Sequence, residues 1–239
     1  WSSEEVILGF ADFIISFVFP FVATVAFWVY KSATPGKIAL NLCVVDAETG
    51  DRRRLPFDLD AIYSVAWSPI DARLLFQGID GDQSDIYLYD PARDLLENLT
   101  DDIYSDFDPS WNRDGTSLLF LSDRQENPIR RDRGLAARIW EYDISVVDLY
   151  ELTIDGKRLL RKTSDFHREK SPLMTAVGDL LYVSDESGID NIYVEQDGIR
   201  RPLTNSITGI DQVSITPDGS KLVFSAWDGT GYDLFVLNA

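Results

Sequence analysis

Few side chains in this sequence could do chemistry. One histidine, His167, and one cysteine, Cys43, occur in 239 residues. A zinc site of the usual ligand types has too few ligands here, and a lone cysteine forms no internal disulfide. His167 sits in the stretch FHREK beside the end of an expected strand and reads as a surface residue. A serine hydrolase needs a G-x-S-x-G elbow to lift its nucleophile, and a phosphate loop needs G-x-x-x-x-G-K-[ST]. Neither pattern is in the sequence. What remains is Asp80, Asp82 and Asp85 in IDGDQSD. Alternating carboxylates around a glycine match part of a calcium loop, but the twelve-residue pattern is incomplete and no Glu closes it. Asp beside a hairpin turn more often bonds its own backbone. The expectation is a non-catalytic protein with no metal and no cofactor.

Charge narrows the partners. Forty acidic residues stand against 22 basic ones, a net charge of −18. Affinity for phosphate comes mainly from Lys and Arg, so nucleic acid is not the expected partner. With 45% hydrophobic residues, the chain has enough apolar surface to pack a core. The acidic surface either is simply solvated or docks a basic partner or cations.

The elements that must position any site repeat along the chain. DFDPSWNRDGTSLLFLSDR, from Asp106 to Arg124, reads as a strand, a tight turn and a second strand. Asp114 and Gly115 supply the backbone angles of the turn. Leu118–Leu121 is a continuous apolar run, which suits a strand covered on both faces. Similar units start at Ser64, Ser171 and Gln212, and Trp67, Trp111, Met174 and Ile215 share one position in them. The spacing predicts third strands at SDIYLYD from Ser84, YDISVVD from Tyr142, DNIYVEQ from Asp190 and YDLFVLN from Tyr232. Fourth strands are expected to end at Thr100, Thr163 and Thr204. A repeat of about forty residues with four strands each is the signature of a β-propeller. The expected fold is all-β: a small propeller over 38–239 of about five four-stranded blades, within a range of four to six. Strands between Lys37 and Phe57 supply either a partial blade or an outer strand that closes the ring.

Ahead of the repeats, residues 6–30 run VILGFADFIISFVFPFVATVAFWVY. As a helix this would be about 37 Å long, more than the ~30 Å hydrocarbon core. It is apolar all round, so residues 1–31 are expected to form a transmembrane helix in the lipid bilayer, with 32–37 as a linker. Trp1, Trp28, Tyr30 and Lys31 are the expected interface anchors. Asp12 is costly in lipid and is expected to face a protein partner or the headgroups. Lys31 and Lys37 follow the span and no basic residue precedes it, which by the positive-inside rule would put the propeller in the cytoplasm. An insertion over 125–141 carries Arg130, Arg131, Arg133 and Arg138 together with Trp140. The insertion is expected to be either a solvated loop or a contact for a partner or lipid headgroups, with these residues as the candidate contacts.

The repeats resemble the TolB-type, or WD40-like PD40, propeller family. The residues that carry the likeness are Ser64–Pro69, Asp108–Gly115, the turns Ser122-Asp123-Arg124 and Ser184-Asp185, the runs Asp85–Tyr87 and Asn191–Tyr193, and the Leu-Thr endings at Thr100 and Thr204. The resemblance implies a periplasmic or extracytoplasmic binding platform that serves protein–protein contacts in a membrane assembly. Members usually have six blades, and this chain is short for six. Residues 33–52 are also similar to a loop of the RDD family of small membrane proteins, although the same residues fit a propeller strand pair. Two functions follow as expectations: a docking or stabilising subunit of an integral membrane protein complex, or a sensor that takes a ligand or peptide in its central channel.

Overall fold

The computed structural model describes residues 43–45, 49–129 and 146–238, apart from Pro56 and Pro217. The expected span over 6–30 lies outside the described residues. Among the described residues no helix is long and apolar enough to cross a membrane. The chain divides at Ala61/Ile62 into two units. In the first, β1 (Cys43–Val45) and β2 (Arg52–Arg54) form an antiparallel pair with Cys43 opposite Arg54.

The second unit is a propeller of four blades. Blade 1 is β3 (Ala61–Trp67), β4 (Leu74–Asp80), β5 (Gln83–Asp90) and β6 (Leu95–Asn98). Blade 2 is β7 (Asp106–Trp111), β8 (Ser117–Ser122), β9 (Asp148–Thr153) and β10 (Leu159–Arg161). Blade 3 is β11 (Glu169–Met174), β12 (Leu180–Ser184), β13 (Asn191–Gln196) and β14 (Ile199–Pro202). Blade 4 is β15 (Ile210–Ile215), β16 (Lys221–Trp227) and β17 (Tyr232–Asn238). Each sheet is an antiparallel meander in chain order.

Two expectations change. Among the described residues the blades number four, at the lower end of the expected four to six and one fewer than the preferred five, because β1 and β2 form a two-stranded sheet of their own. The third strand of blade 2 is Asp148–Thr153, six residues beyond the expected start at Tyr142. The physical reason is the strand cap: Thr163 Oγ1 accepts from the Leu149 N–H, as Thr100 Oγ1 does from Ile86 and Thr204 Oγ1 from Ile192.

Period-two alternation sets how the blades stack. Leu118, Phe120, Tyr150 and Leu152 turn to blade 1 and meet Leu75, Ile86, Leu88 and Leu99. Their neighbours Leu119, Leu121 and Leu149 turn the other way and meet Leu180, Tyr182 and Tyr193. Leu181, Val183, Ile192 and Val194 then meet Ile210, Leu222 and Ala226 of blade 4. Every residue of β8 is buried, as the unbroken apolar run predicts. Each such side chain contributes about 1.5–3 kcal/mol by leaving water.

A Thr beyond each fourth strand of blades 1 to 3 caps the third strand. Thr100 Oγ1 accepts from the Ile86 N–H at 3.0 Å, Thr163 Oγ1 from Leu149 at 2.8 Å, and Thr204 Oγ1 from Ile192 at 2.9 Å. Asp85 accepts from Asn98 Nδ2 at 2.9 Å and from Thr100 Oγ1 at 3.3 Å. Its buried carboxylate therefore ties β5 to the chain beyond β6. Asp80 and Asp82 flank the exposed β4–β5 turn at Gly81. Among the described residues no group of carboxylates, His and Cys could hold a metal ion.

Gly115 joins the β7–β8 turn to blade 1. Its φ is +67°, and a Cβ there would lie 2.6 Å from Ile70 Cγ1 and 2.8 Å from Ile70 Cδ1. Gly178, at the same position in blade 3, has φ +93° with open space around it. Gly115→Ala is expected to lower stability by about 1–3 kcal/mol, strain and crowding together. Gly178→Ala should cost only the strain. Urea titration of both variants checks the difference, and Ile70→Ala should relieve part of the Gly115→Ala loss alone.

Candidate functional site at the propeller axis

The innermost strands β3, β7, β11 and β15 surround the axis. The pairing of β7, β11 and β15 with their neighbours slips between Phe107 and Ser110, between Lys170 and Leu173, and between Asp211 and Ser214. At each slip one residue is left-handed: Asp108 at φ 53°, Ser171 at 48° and Gln212 at 52°. Ser64 of β3, at the equivalent repeat position, has φ 50°. Such a backbone costs on the order of 1–2 kcal/mol for a residue with a Cβ. Four copies of it at one repeat position show that the surrounding sheet imposes it, and strain held in this way clusters at working sites.

The slips let polar groups reach across blades. The Ser171 N–H donates to Asp108 Oδ2 at 2.7 Å, and the Ser64 hydroxyl donates to Asp108 Oδ1 at 3.4 Å. Ser110 Oγ donates to the Pro172 carbonyl at 2.5 Å. Asp108 therefore links three blades. Burial pushes its carboxyl above the usual range, the Ser171 and Ser64 donors draw it back, and Asp211 pushes it up again.

Beside this network β3 exposes aromatic and aliphatic groups. Tyr63 is 53% exposed and Trp67 57% exposed, with Val65 between them. Trp111 occupies the same repeat position as Trp67 but is half-buried. Its Nε1–H donates to the Ala66 carbonyl at 3.2 Å, and the Arg73 guanidinium lies 5.5 Å over its ring. A groove of about 470 Å³ elsewhere, lined in part by Asp71, Arg73, Asp90 and Arg93, is a weaker candidate. Its arginines are already paired, Arg73 with Asp71 at 2.8 Å and Arg93 with Asp90 at 3.6 Å.

The expected anchors Trp1, Trp28, Tyr30 and Lys31 lie outside the described residues, as do Asp12, Arg130, Arg131, Arg133, Arg138 and Trp140. His167 sits in the loop after β10, its N–H on Asp165 Oδ1 at 3.0 Å and its ring 3.8 Å from Asp185. Sequence reasoning did not single out Asp108, Arg124 or Glu169 as individuals. The first two stand inside the repeated motifs, at the first residue of Asp108–Gly115 and the last of the Ser122-Asp123-Arg124 turn.

The sequence matches no protein-family model and no curated protein sequence. Its structure is similar to TolB from Acinetobacter baumannii at 17% identity and a TM-score of 0.65, over 92% of this chain and 55% of that one. It is similar to a protein described as TolB from Agrobacterium tumefaciens at 18% identity and a TM-score of 0.65, over 86% of this chain and 71% of that one. The β-propeller domain of the Trilobed protease from Pyrococcus furiosus, which has an open velcro topology, aligns at 12% identity and a TM-score of 0.57, over 83% of this chain and 59% of that domain. The chain thus spans about half the length of the first of these. The fold occurs in a protease as well as in TolB, so by itself it neither assigns nor excludes catalysis. At this level of identity the likeness establishes the architecture alone: a TolB-type β-propeller, here of four blades.

Proposed function

We propose that this protein is a non-catalytic docking propeller, held at a membrane by the apolar segment over 6–30 and serving as a subunit of a larger membrane protein complex. The observation that carries the reading is the aromatic stripe on β3. Tyr63, Val65 and Trp67 lie on the innermost strand of a well-packed blade, yet are left in water. A contiguous apolar surface of this kind is costly to expose and marks a protein contact. Trp and Tyr are also the residues that concentrate binding energy at interfaces. The TolB likeness supports the reading through the architecture. On this view the propeller lies on the extracytoplasmic side.

Co-purification in mild detergent tests it. The wild-type chain should retain a stable partner. Tyr63→Ser with Trp67→Ser should lose that partner, with affinity down at least tenfold, while circular dichroism and melting stay near wild type. Retention of the partner by this variant would sink the reading. A sensor that binds a small ligand or peptide along the axis is the second reading, favoured by the polar ring of Ser64, Asp108, Ser171 and Gln212. A monomeric protein with an occupied axis would support it instead.

A further inference from the structure

Two seams between blades carry the same three carboxyl positions. Between blades 1 and 2 these are Asp85 at the start of β5, Asp102 in the β6–β7 loop and Asp106 at the start of β7. Between blades 2 and 3 they are Asp148, Asp165 and Glu169.

Arg124 fills the seam between blades 1 and 2. Its Nη1 donates to Asp102 at 2.8 Å, its Nη2 to both oxygens of Asp106 at 2.6 Å, and its Nε to Ser122 Oγ at 2.9 Å. The guanidinium lies 5.5 Å over Tyr104 and 5.6 Å over Phe120.

The seam between blades 2 and 3 is built alike but has Glu186 where Arg124 would be. The Glu186 N–H donates to Ser184 Oγ at 3.3 Å, as the Arg124 N–H does to Ser122 Oγ. Arg200 reaches in from β14 instead. Its Nη1 bonds Asp165 at 2.6 Å and Glu186 at 3.0 Å, and it lies 5.5 Å over Tyr182, the counterpart of Phe120. Arg161 bonds only Oδ2 of Asp148, at 2.7 Å, and Glu126. Both carboxyl oxygens of Glu169, Oδ1 of Asp148, Nε of Arg161 and the Tyr182 hydroxyl are buried without a hydrogen-bond partner. Glu169 is 3% exposed. Buried polar atoms in native folds are almost always bonded, so a cluster of orphans marks a missing group. This seam holds two guanidinium groups, Arg161 on Asp148 and Arg200 on Asp165, but neither bonds Glu169 as Arg124 bonds Asp106.

The rim above it is half-exposed and carries carboxylates beside Arg168 and Arg200. Asp165, Asp185 and Glu186 stand around it, and Phe166 between them is 93% exposed. We propose that this seam is a docking site for an arginine side chain of a partner protein, whose guanidinium takes at Glu169 and Asp165 the place that Arg124 holds at Asp106 and Asp102, with Phe166 as the adjoining apolar contact. The proposal rests on the docking reading and adds the chemistry of the partner. Arg200 swings toward Glu186 to admit the incoming group. A planar fork satisfies two carboxylates at once, which a lysine ammonium does not. The net charge of −18 draws a basic protein segment and repels anionic lipid.

N-acetyl-arginine methylamide titrated into the whole chain tests this, with N-acetyl-lysine methylamide at equal ionic strength beside it. The arginine probe should shift the amide resonances of Phe166–Lys170 and raise the melting temperature, with the lysine probe several-fold weaker. Its binding should tighten as the pH rises through about 8, where Glu169 loses its proton. Lys170 is tied to Asp190 and does not compete. Glu169→Gln should melt as a folded protein and lose the response. Glu186→Arg supplies the cation from within, so it should raise the melting temperature and also abolish the response. Equal responses to the two probes, or an arginine response that survives in both variants, would overturn the proposal. Absence of any arginine response in a chain that still co-purifies its partner through the β3 stripe would remove this inference and leave the docking reading standing.

Discussion

Arg124→Leu is expected to destabilise the propeller by roughly 3–5 kcal/mol, the largest loss from any single polar substitution in the chain. Arg124 is fully buried, and so are Asp102 and Asp106 beside it. Burial alone pushes the Asp106 carboxyl up, and Arg124 draws it back. Without the guanidinium, two carboxyl groups face each other inside an apolar seam lined by Phe120, Tyr150 and Leu118. They must then take up protons or let water in, and either outcome loosens the packing of blade 1 on blade 2. A double-mutant cycle with Asp106→Leu separates the cost of the orphaned charge from the worth of the pair. Arg124→Leu/Asp106→Leu should recover much of the loss, because removing both partners leaves less charge unpaired. Urea unfolding of the four proteins measures it. An Arg124→Leu loss below about 1 kcal/mol would show that the seam is wet, and that the pair carries no more than a surface ion pair.

Glu169→Gln is expected to act in the opposite sense and raise stability in neutral and alkaline solution. Burial first, then Asp165 and Asp148, push Glu169 up from 4.5 to about 8, with only Arg200 opposing. Asp165 itself is held low: burial opposes this, but Arg200 and the His167 N–H prevail. Burial also raises Asp148, against Arg161. In the unfolded chain Glu169 ionises near its ordinary value. Between about 4.5 and about 8 the folded protein therefore keeps a proton that the unfolded chain has released. Stability falls as pH rises across that window, and the loss is complete above it. Glutamine cannot ionise, so the variant loses this slope. It should match the wild type below about pH 4.5 and exceed it by roughly 2–4 kcal/mol near pH 9. Unfolding curves across this pH range decide the matter, and parallel stability profiles for the two proteins would refute the assignment. The same orphaned carboxyl is the one offered to a partner's arginine, so stability lost at this seam would be regained on binding.

These expectations came into view at different stages, and the reasons are physical. Repetition made the architecture legible in the sequence. A strand–turn–strand unit with Asp-Gly turns and a fully apolar second strand recurs about every forty residues, and a sheet of that kind must stack on copies of itself to cover both faces. The Thr endings were visible too, because each closes a local link of twelve to fourteen residues. Blade 2 was harder. Its insertion moved the third strand away from the expected spacing, and the Leu149–Thr163 cap locates it.

The blade count and the site were not legible in the same way. Counting blades requires knowing which strands share hydrogen bonds, and β1 and β2 look in sequence like blade strands but among the described residues pair with each other. The axis network joins Ser64, Asp108 and Ser171 across 44 and 63 residues. The Arg124 and Arg200 seams rest on a contrast between equivalent positions in neighbouring blades. The sequence by itself determined an acidic, repeat-built all-β domain whose local turns, caps and apolar runs agree with one another. Only the tertiary structure decided which charges face each other in the seams, because a carboxylate's partner, its burial and its proton depend on groups brought near by stacking, and one-dimensional spacing does not encode those distances.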